Sequence, residues 1–156
     1  GSPITFKGQH PLNAIILISI IILVYLLCTT QSANLFEINN AINIVDLPGY
    51  GFAKISQKEA YKISDLVSQY LTTRENLKKI FVLIDNGLGA KKIDIEMINA
   101  MQSIKDKIFI CYTKSDKKIK EKSAYVDELA DYDQLTVSSK TNDNIFELQK
   151  KILEIL

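Results

Sequence analysis

Apolar residues in this chain gather into short blocks separated by polar, charged or glycine-rich punctuation. Leu35-Phe36-Glu37-Ile38 and Ile42-Asn43-Ile44-Val45 read as two strands joined at Asn39-Asn40, a good hairpin turn pair. Lys79 to Ile84, Lys107 to Tyr112 and Gln134-Leu135-Thr136-Val137 have the same short apolar character. Between these blocks the period lengthens. Gln57 to Thr72 places Ala60, Ile63, Leu66, Val67, Tyr70 and Leu71 at helical spacing, with Ser56 as cap and Glu59 in the capping-box position. Asp94 to Ile104 predicts the next helix, and Ser115 to Asp131 is expected to contain a charged surface helix. Asn144 to Leu156 closes the chain with Ile145, Leu148, Ile152 and Ile155 facing the core. Strands alternating with helices predict an α/β domain with a mostly parallel sheet.

One block does not fit that rhythm. Leu12 to Cys28 holds twelve Leu, Ile and Val residues, and no charge lies between Lys7 and Glu37. On an insertion scale those twelve contribute on the order of −5 kcal/mol, more than the cost of Asn13, Ser19 and Tyr25. Seventeen residues give only about 25 Å of helix, the short edge for a bilayer. The run also suits a signal-peptide core or a buried strand, because isoleucine fits a strand as well as a helix. A membrane span is therefore open here without being favoured.

Chemistry concentrates where strands end. Ile44-Val45-Asp46 runs into Leu47-Pro48-Gly49-Tyr50-Gly51-Phe52, an aspartate at a strand's carboxyl end followed by a glycine-rich turn. Ligands of open α/β sheets bind at that edge. Asp46 can hold Mg²⁺ through water while the Gly49 amide meets a terminal phosphate, as in nucleotide triphosphatases. Thr113-Lys114-Ser115-Asp116 comes directly after the block ending at Tyr112. The Asp116 carboxylate can accept from the N1–H and 2-amino group of guanine, a donor pair that adenine lacks, and the Lys114 stem can lie along the base. Backbone amides of Ser138-Ser139-Lys140, after Val137, can meet the guanine O6.

In these residues the chain resembles the EngB (YihA/YsxC) family of bacterial GTP-binding proteins. Asp46-Leu47-Pro48-Gly49-Tyr50-Gly51-Phe52-Ala53-Lys54 is similar to its third G motif, Thr113-Lys114-Ser115-Asp116 to its fourth, with threonine in place of the usual asparagine, and Val137-Ser138-Ser139 to its fifth. Tyr70-Leu71, Arg74-Glu75-Asn76-Leu77, Leu83-Ile84-Asp85 and Asp94-Ile95-Glu96-Met97 match the family pattern too, so the resemblance covers roughly residues 30 to 156. It implies a P-loop NTPase-type, Ras-like G domain that binds GTP or GDP with Mg²⁺. It further implies a cytoplasmic monomer that assists large ribosomal subunit assembly and is linked to cell division through septum formation. The nucleotide-binding residues it implies are Asp46, Leu47, Pro48, Gly49, Thr113, Lys114, Ser115, Asp116, Val137, Ser138 and Ser139. Asp46 and Thr30 would face the metal, although Cys28 and Thr29 beside Thr30 do not match the motif.

Before residue 30 the resemblance fails. A P-loop reads Gly-x-x-x-x-Gly-Lys-Ser/Thr. Gly1 to Gly8 has Gly1 and Lys7 in register, but Phe6 replaces the second glycine and Gly8 the hydroxyl residue. Residues 1–33 are thus expected to be an atypical apolar segment and 34–156 the rest of a G domain, with its first strand and P-loop missing or degraded. The chain opens on Gly1 rather than methionine, consistent with a fragment, a processed chain or a tag remnant. Whether the protein still turns over nucleotide stays open, the alternative being a non-catalytic or membrane-tethered remnant.

Composition adds little. The 156 residues suit one domain, a formal net charge of +1 gives no general pull toward nucleic acid, and the lysine-rich stretch Lys117 to Lys122 reads as a solvated face or a contact for ribosomal RNA. Cys28 and Cys111 lie in apolar runs and suggest neither a disulfide framework nor a zinc site. A frameshift restored near Thr30 would also explain the isoleucine-rich block, since Asn13-Ala14 and Thr30-Gln31 fall close to the family's spacing. Translating the same nucleotides in the other two frames is expected to recover a lysine- and serine-rich segment ending in Pro-Gly-Arg/Lys-Thr-Gln. If neither frame does so, the apolar run was selected as it stands.

Overall fold

The computed structural model describes residues 16–21, 34–38, 42–47, 56–119 and 125–155. Within them the chain runs β1 (Ile16–Ile21), β2 (Asn34–Ile38), β3 (Ile42–Asp46), α1 (Gln57–Thr73), β4 (Leu77–Asp85), α2 (Lys92–Ala100), β5 (Ile108–Thr113), β6 (Asp133–Thr136) and α3 (Ile145–Leu153). Short 3-10 turns occupy Gln102–Lys107 and Asp127–Leu129. The strands form one sheet in the order β2-β3-β1-β4-β5-β6. β2 pairs antiparallel with β3 and all other pairings are parallel, while the predicted Asn39-Asn40 turn lies outside the described residues. The sequence leaves the central strand without a clean candidate. The structure puts Ile16–Ile21, from the middle of the apolar block, into that place: Ile20 lies level with Asp46 on one side and Phe81 on the other.

Alternation along the strands divides the core between the two faces of the sheet. On one face Val45, Ile80, Val82, Ile84, Ile108 and Ile110 pack with Val67 and Leu71 of α1 and Ile95, Met97 and Ile98 of α2. On the other, Phe81, Phe109, Cys111 and Val137 meet Ile145, Leu148, Ile152 and Ile155, so the expected inward face of the last helix is found. The Phe81 and Phe109 rings sit tilted with centroids 5.3 Å apart, an arrangement worth about 0.5–1.5 kcal/mol beyond burial. α1 begins as its sequence predicts. Ser56 Oγ accepts from the Glu59 N–H at 3.3 Å and Glu59 Oε2 accepts from the Ser56 N–H at 2.8 Å, a cap worth about 1 kcal/mol.

One helix differs from its predicted extent, and the stretch expected to hold another is described only in part. The helix expected to reach Ile104 ends at Ala100, where Met101 leaves helical geometry and the chain tightens into the 3-10 turn. In Ser115 to Asp131 the described residues form a turn after β5 and the single 3-10 turn at Asp127–Leu129, with residues 120–124 outside the described set. Of the apolar residues described in that stretch, Leu129 is buried and Tyr125 half-buried, while Ile119 and Val126 are exposed. Among the described residues no helix is long and apolar enough to cross a membrane.

Candidate functional site

Parallel pairing sends the carboxyl ends of β1, β3, β4, β5 and β6 to one edge of the sheet. Register then decides what meets there. Asp85, last in β4, lies opposite Thr113, last in β5, and Tyr112 lies opposite Thr136, last in β6. Asp46 comes level with Phe81, four residues short of Asp85 along β4 and therefore about 13 Å back along the strand direction. Asp46 and the residues after β5 are too far apart for one compact group, but a nucleotide has two ends.

The β5 and β6 loops are assembled as one unit. Lys114 adopts a left-handed backbone, φ 61°, which turns the chain sharply as it leaves β5. Ser115 N–H donates to the Val137 carbonyl at 3.1 Å, and Val137 N–H donates to the Tyr112 carbonyl at 2.7 Å. Ser138 Oγ, fully buried, donates to Asp116 Oδ1 at 2.7 Å and accepts from the Lys140 and Thr141 N–H groups at 3.2 and 3.3 Å. That bond from Ser138 above all, with the charges of Lys140 and Lys117, holds the Asp116 carboxyl below its ordinary pKa. It is ionised at neutral pH, with Oδ2 only 3.9 Å from the exposed Lys140 ammonium. An ionised acceptor at this edge can take two N–H donors in one plane, which guanine presents and adenine does not.

Lys114 is held from behind by a group that its sequence context does not assign to the site. Its Nζ donates to Asp85 Oδ2 at 2.7 Å, and Asp85 Oδ1 accepts from the Gly87 N–H at 2.9 Å. Burial by itself would raise the Asp85 carboxyl, yet the Lys114 and Gly87 hydrogen bonds and the lysine charge outweigh it and leave the pKa lowered. Gly87 gives this turn room: a Cβ there would stand 3.2 Å from Asp85 Oδ1 and 3.4 Å from the Lys118 carbonyl, close enough that its neighbours would have to shift slightly. The signal in the sequence is Leu83-Ile84-Asp85, an apolar strand ending in a carboxylate like the strand that ends at Asp46.

The remaining sequence candidates fall into three groups. Thr113, Lys114, Ser115, Asp116, Val137, Ser138 and Ser139 are brought together, with Thr113 Oγ1 donating to the Ile84 carbonyl at 3.3 Å and Ser139 exposed. Val137 and Leu47 are buried in the two cores, so their side chains serve packing. Asp46 stands half-buried at the same sheet edge, while Pro48, Gly49 and Thr30 lie outside the described residues. Among the described residues no group of three His, Cys, Asp or Glu side chains could hold a metal ion. Mg²⁺ at nucleotide sites needs only one or two protein groups beside the substrate phosphates, and Asp46 is the described carboxylate that could serve in that way.

A sheet of this order, with a carboxylate-bearing loop after β5 and a serine turn after β6, is that of a GTPase-type G domain. A family model described as 50S ribosome-binding GTPase matches residues 12–114. The probable GTP-binding protein EngB of Mycoplasmopsis synoviae (strain 53) is 39% identical over 132 residues, which cover 79% of this chain and 70% of that protein. The probable GTP-binding protein EngB of Clostridium acetobutylicum is 46% identical over 88 residues, covering 56% of this chain and 44% of that protein. The chain thus spans most of one relative's length but less than half of another's. The crystal structure of a probable GTP-binding protein engB superposes with a TM-score of 0.64 at 18% identity, covering 90% of this chain and 97% of that one. Era, in complex with MgGDPNP and nucleotides 1506-1542 of 16S ribosomal RNA, does so with a TM-score of 0.59 at 20% identity, covering 91% and 57%. These two establish the fold. The chain belongs to the EngB family of GTP-binding proteins.

Asp85→Asn is expected to destabilise the fold by about 1–3 kcal/mol, because it leaves the half-buried Lys114 ammonium without its charged acceptor. The folded-state pKa of Asp85 is depressed from 3.8, so its contribution is present above that value and is lost as pH falls through the folded pKa. Urea unfolding from pH 7 downward should show the wild-type advantage over Asp85→Asn shrinking only below about pH 4. An advantage that is already absent at pH 7 would show that the ion pair contributes nothing.

Proposed function

We propose that this chain is a guanine-nucleotide-binding protein of the EngB type whose base recognition is built and whose phosphate recognition is reduced. The observation that carries the first half is the Ser138–Asp116 bond at 2.7 Å, which fixes an ionised carboxylate where a base can reach it. The second half rests on the residues that leave the carboxyl end of the central strand. In P-loop nucleotidases the loop at that place cradles phosphate with glycine amides and a lysine. Here β1 gives way to Ile22-Leu23-Val24-Tyr25-Leu26-Leu27-Cys28, which contains no glycine and no cation. The echo of a P-loop at Gly1 to Lys7 precedes β1 and so belongs to the wrong end of the strand.

By family, the setting proposed for this activity is assembly of the large ribosomal subunit in the cytoplasm, with an influence on septum formation and cell division. Lys117 and Lys118, exposed beside the base loops, offer contacts to ribosomal RNA. Mg²⁺ in this reading is brought by the nucleotide's own phosphates, with Asp46 the described carboxylate at that end of the edge. Hydrolysis is expected to be slow. Tyr50 occupies the position after the Gly49 of the third motif, where many GTPases place a water-orienting glutamine, and no phosphate-binding lysine stands directly after β1.

Competition titrations against a fluorescent guanine nucleotide test base choice, and GTP is expected to displace it at least about tenfold better than ATP, a difference of about 1.4 kcal/mol. In Asp116→Asn the preference should move from guanine toward xanthine, whose 2-oxo group can accept from the new amide. Turnover should lie at least about 100-fold below that of an EngB protein with an intact P-loop, since one lost transition-state donor alone costs about that much. Displacement by ATP as effective as by GTP would remove the base-site reading, and turnover equal to an intact relative would remove the phosphate half.

A further inference from the structure

The turn that leads into α3 does more than start a helix. Asn142 and Asn144 both have left-handed backbones, with φ 58° and 52°, a conformation that non-glycine residues adopt at a cost and asparagine most readily. Two such residues in three are kept only where surrounding contacts fix them. The contacts here point at the base loops. Asn144 Nδ2 donates to the Thr136 carbonyl at the end of β6, at 2.8 Å. Between the two asparagines, Asp143 reaches both loops at once: its carbonyl accepts from the Ser138 N–H at 3.1 Å, and its Oδ2 accepts from Ser115 Oγ at 2.8 Å.

Those two partners flank the base-reading carboxylate from both sides. Ser115 directly precedes Asp116 in the chain, and Ser138 hydrogen-bonds Asp116 Oδ1. We propose that Asp143 is a positioning residue for guanine recognition, fastening the β5 loop to the β6 loop so that the Asp116 carboxylate keeps the plane and distance that two N–H donors require. The proposal rests on reading this edge as the base site. Its physical basis is the steep dependence of a hydrogen bond on angle: a carboxylate that swings loses the second, more peripheral donor first. In guanine that second donor is the 2-amino group, which hypoxanthine lacks. Asp143 therefore acts on the margin between guanine and hypoxanthine, and not on nucleotide affinity in general.

The test measures displacement of fluorescent GDP from the full chain by GDP, IDP and ADP, together with the thermal unfolding midpoint. Asp143→Ala is expected to lower the GDP-over-IDP affinity ratio about 3- to 10-fold, the range set by one net hydrogen bond. Asp143→Asn, whose amide oxygen still accepts from Ser115 Oγ, should stay within about twofold of wild type on the same grounds. Ser115→Ala should reproduce the Ala effect, and the double variant should add nothing to it, because both changes break one bond. If Asp143→Ala does not fold, Ser115→Ala carries the comparison with the Asp143 backbone bond intact. An unchanged GDP-over-IDP ratio in a protein that still prefers GDP to ADP would overturn the role of Asp143 alone. So would an equal loss for GDP and IDP, or additive single effects. A wild type that binds GDP no better than ADP would overturn the base-site reading and this proposal together.

Discussion

The ion pair between Asp85 and Lys114 is the point at which the sheet and the site depend on each other. It exists because β4 and β5 pair in parallel with Asp85 opposite Thr113, so that the next residue of the β5 loop falls within 2.7 Å of a carboxylate that the fold has already buried. A buried aspartate left alone would be costly, and a lysine with a left-handed backbone is not a default conformation. Each is acceptable because of the other. Their pairing fixes the direction in which the chain leaves β5, and that direction delivers Asp116 to Ser138.

Most of the strand ends could be read in the sequence, because a buried parallel sheet forces short apolar runs and the polar residue after each run falls on the ligand edge. The blocks at Ile42 to Val45, Lys79 to Ile84 and Lys107 to Tyr112 appear within a residue or two as β3, β4 and β5. The capping box at Ser56 and Glu59 was legible for a local reason, since both of its bonds span only three residues. Asp85 was not legible as a site residue, since its role depends on a partner 29 residues away. Asp143 was hidden likewise, as its hydroxyl partner Ser115 is 28 residues distant. Periodicity reports which face a residue occupies and says nothing about which loop it will meet.

The block from Leu12 to Cys28 shows the limit of pattern reading from the other side. A long run of isoleucine and leucine satisfies helix, strand and bilayer templates alike. In the structure its middle third becomes the central strand, between β3 and β4, and central strands of parallel sheets read as near-continuous apolar runs. In sequence the same composition continues to Cys28 after that strand, where a P-loop would have glycines and a lysine. Apolar content suited to the centre of a sheet is unsuited to a phosphate cradle. In the proposed function the two ends of the nucleotide are therefore served very differently.

That imbalance can be read directly from how affinity is divided along the ligand. A competition titration would compare guanosine, GDP and GTP as displacers of one fluorescent guanine nucleotide, at fixed ionic strength and with Mg²⁺ present. With recognition concentrated on the base, guanosine should compete within about tenfold of GTP, a difference of at most about 1.4 kcal/mol from the whole triphosphate. A GTP affinity about 1,000-fold or more above that of guanosine, equivalent to about 4 kcal/mol of phosphate binding, would contradict the account and require a working phosphate site in this chain.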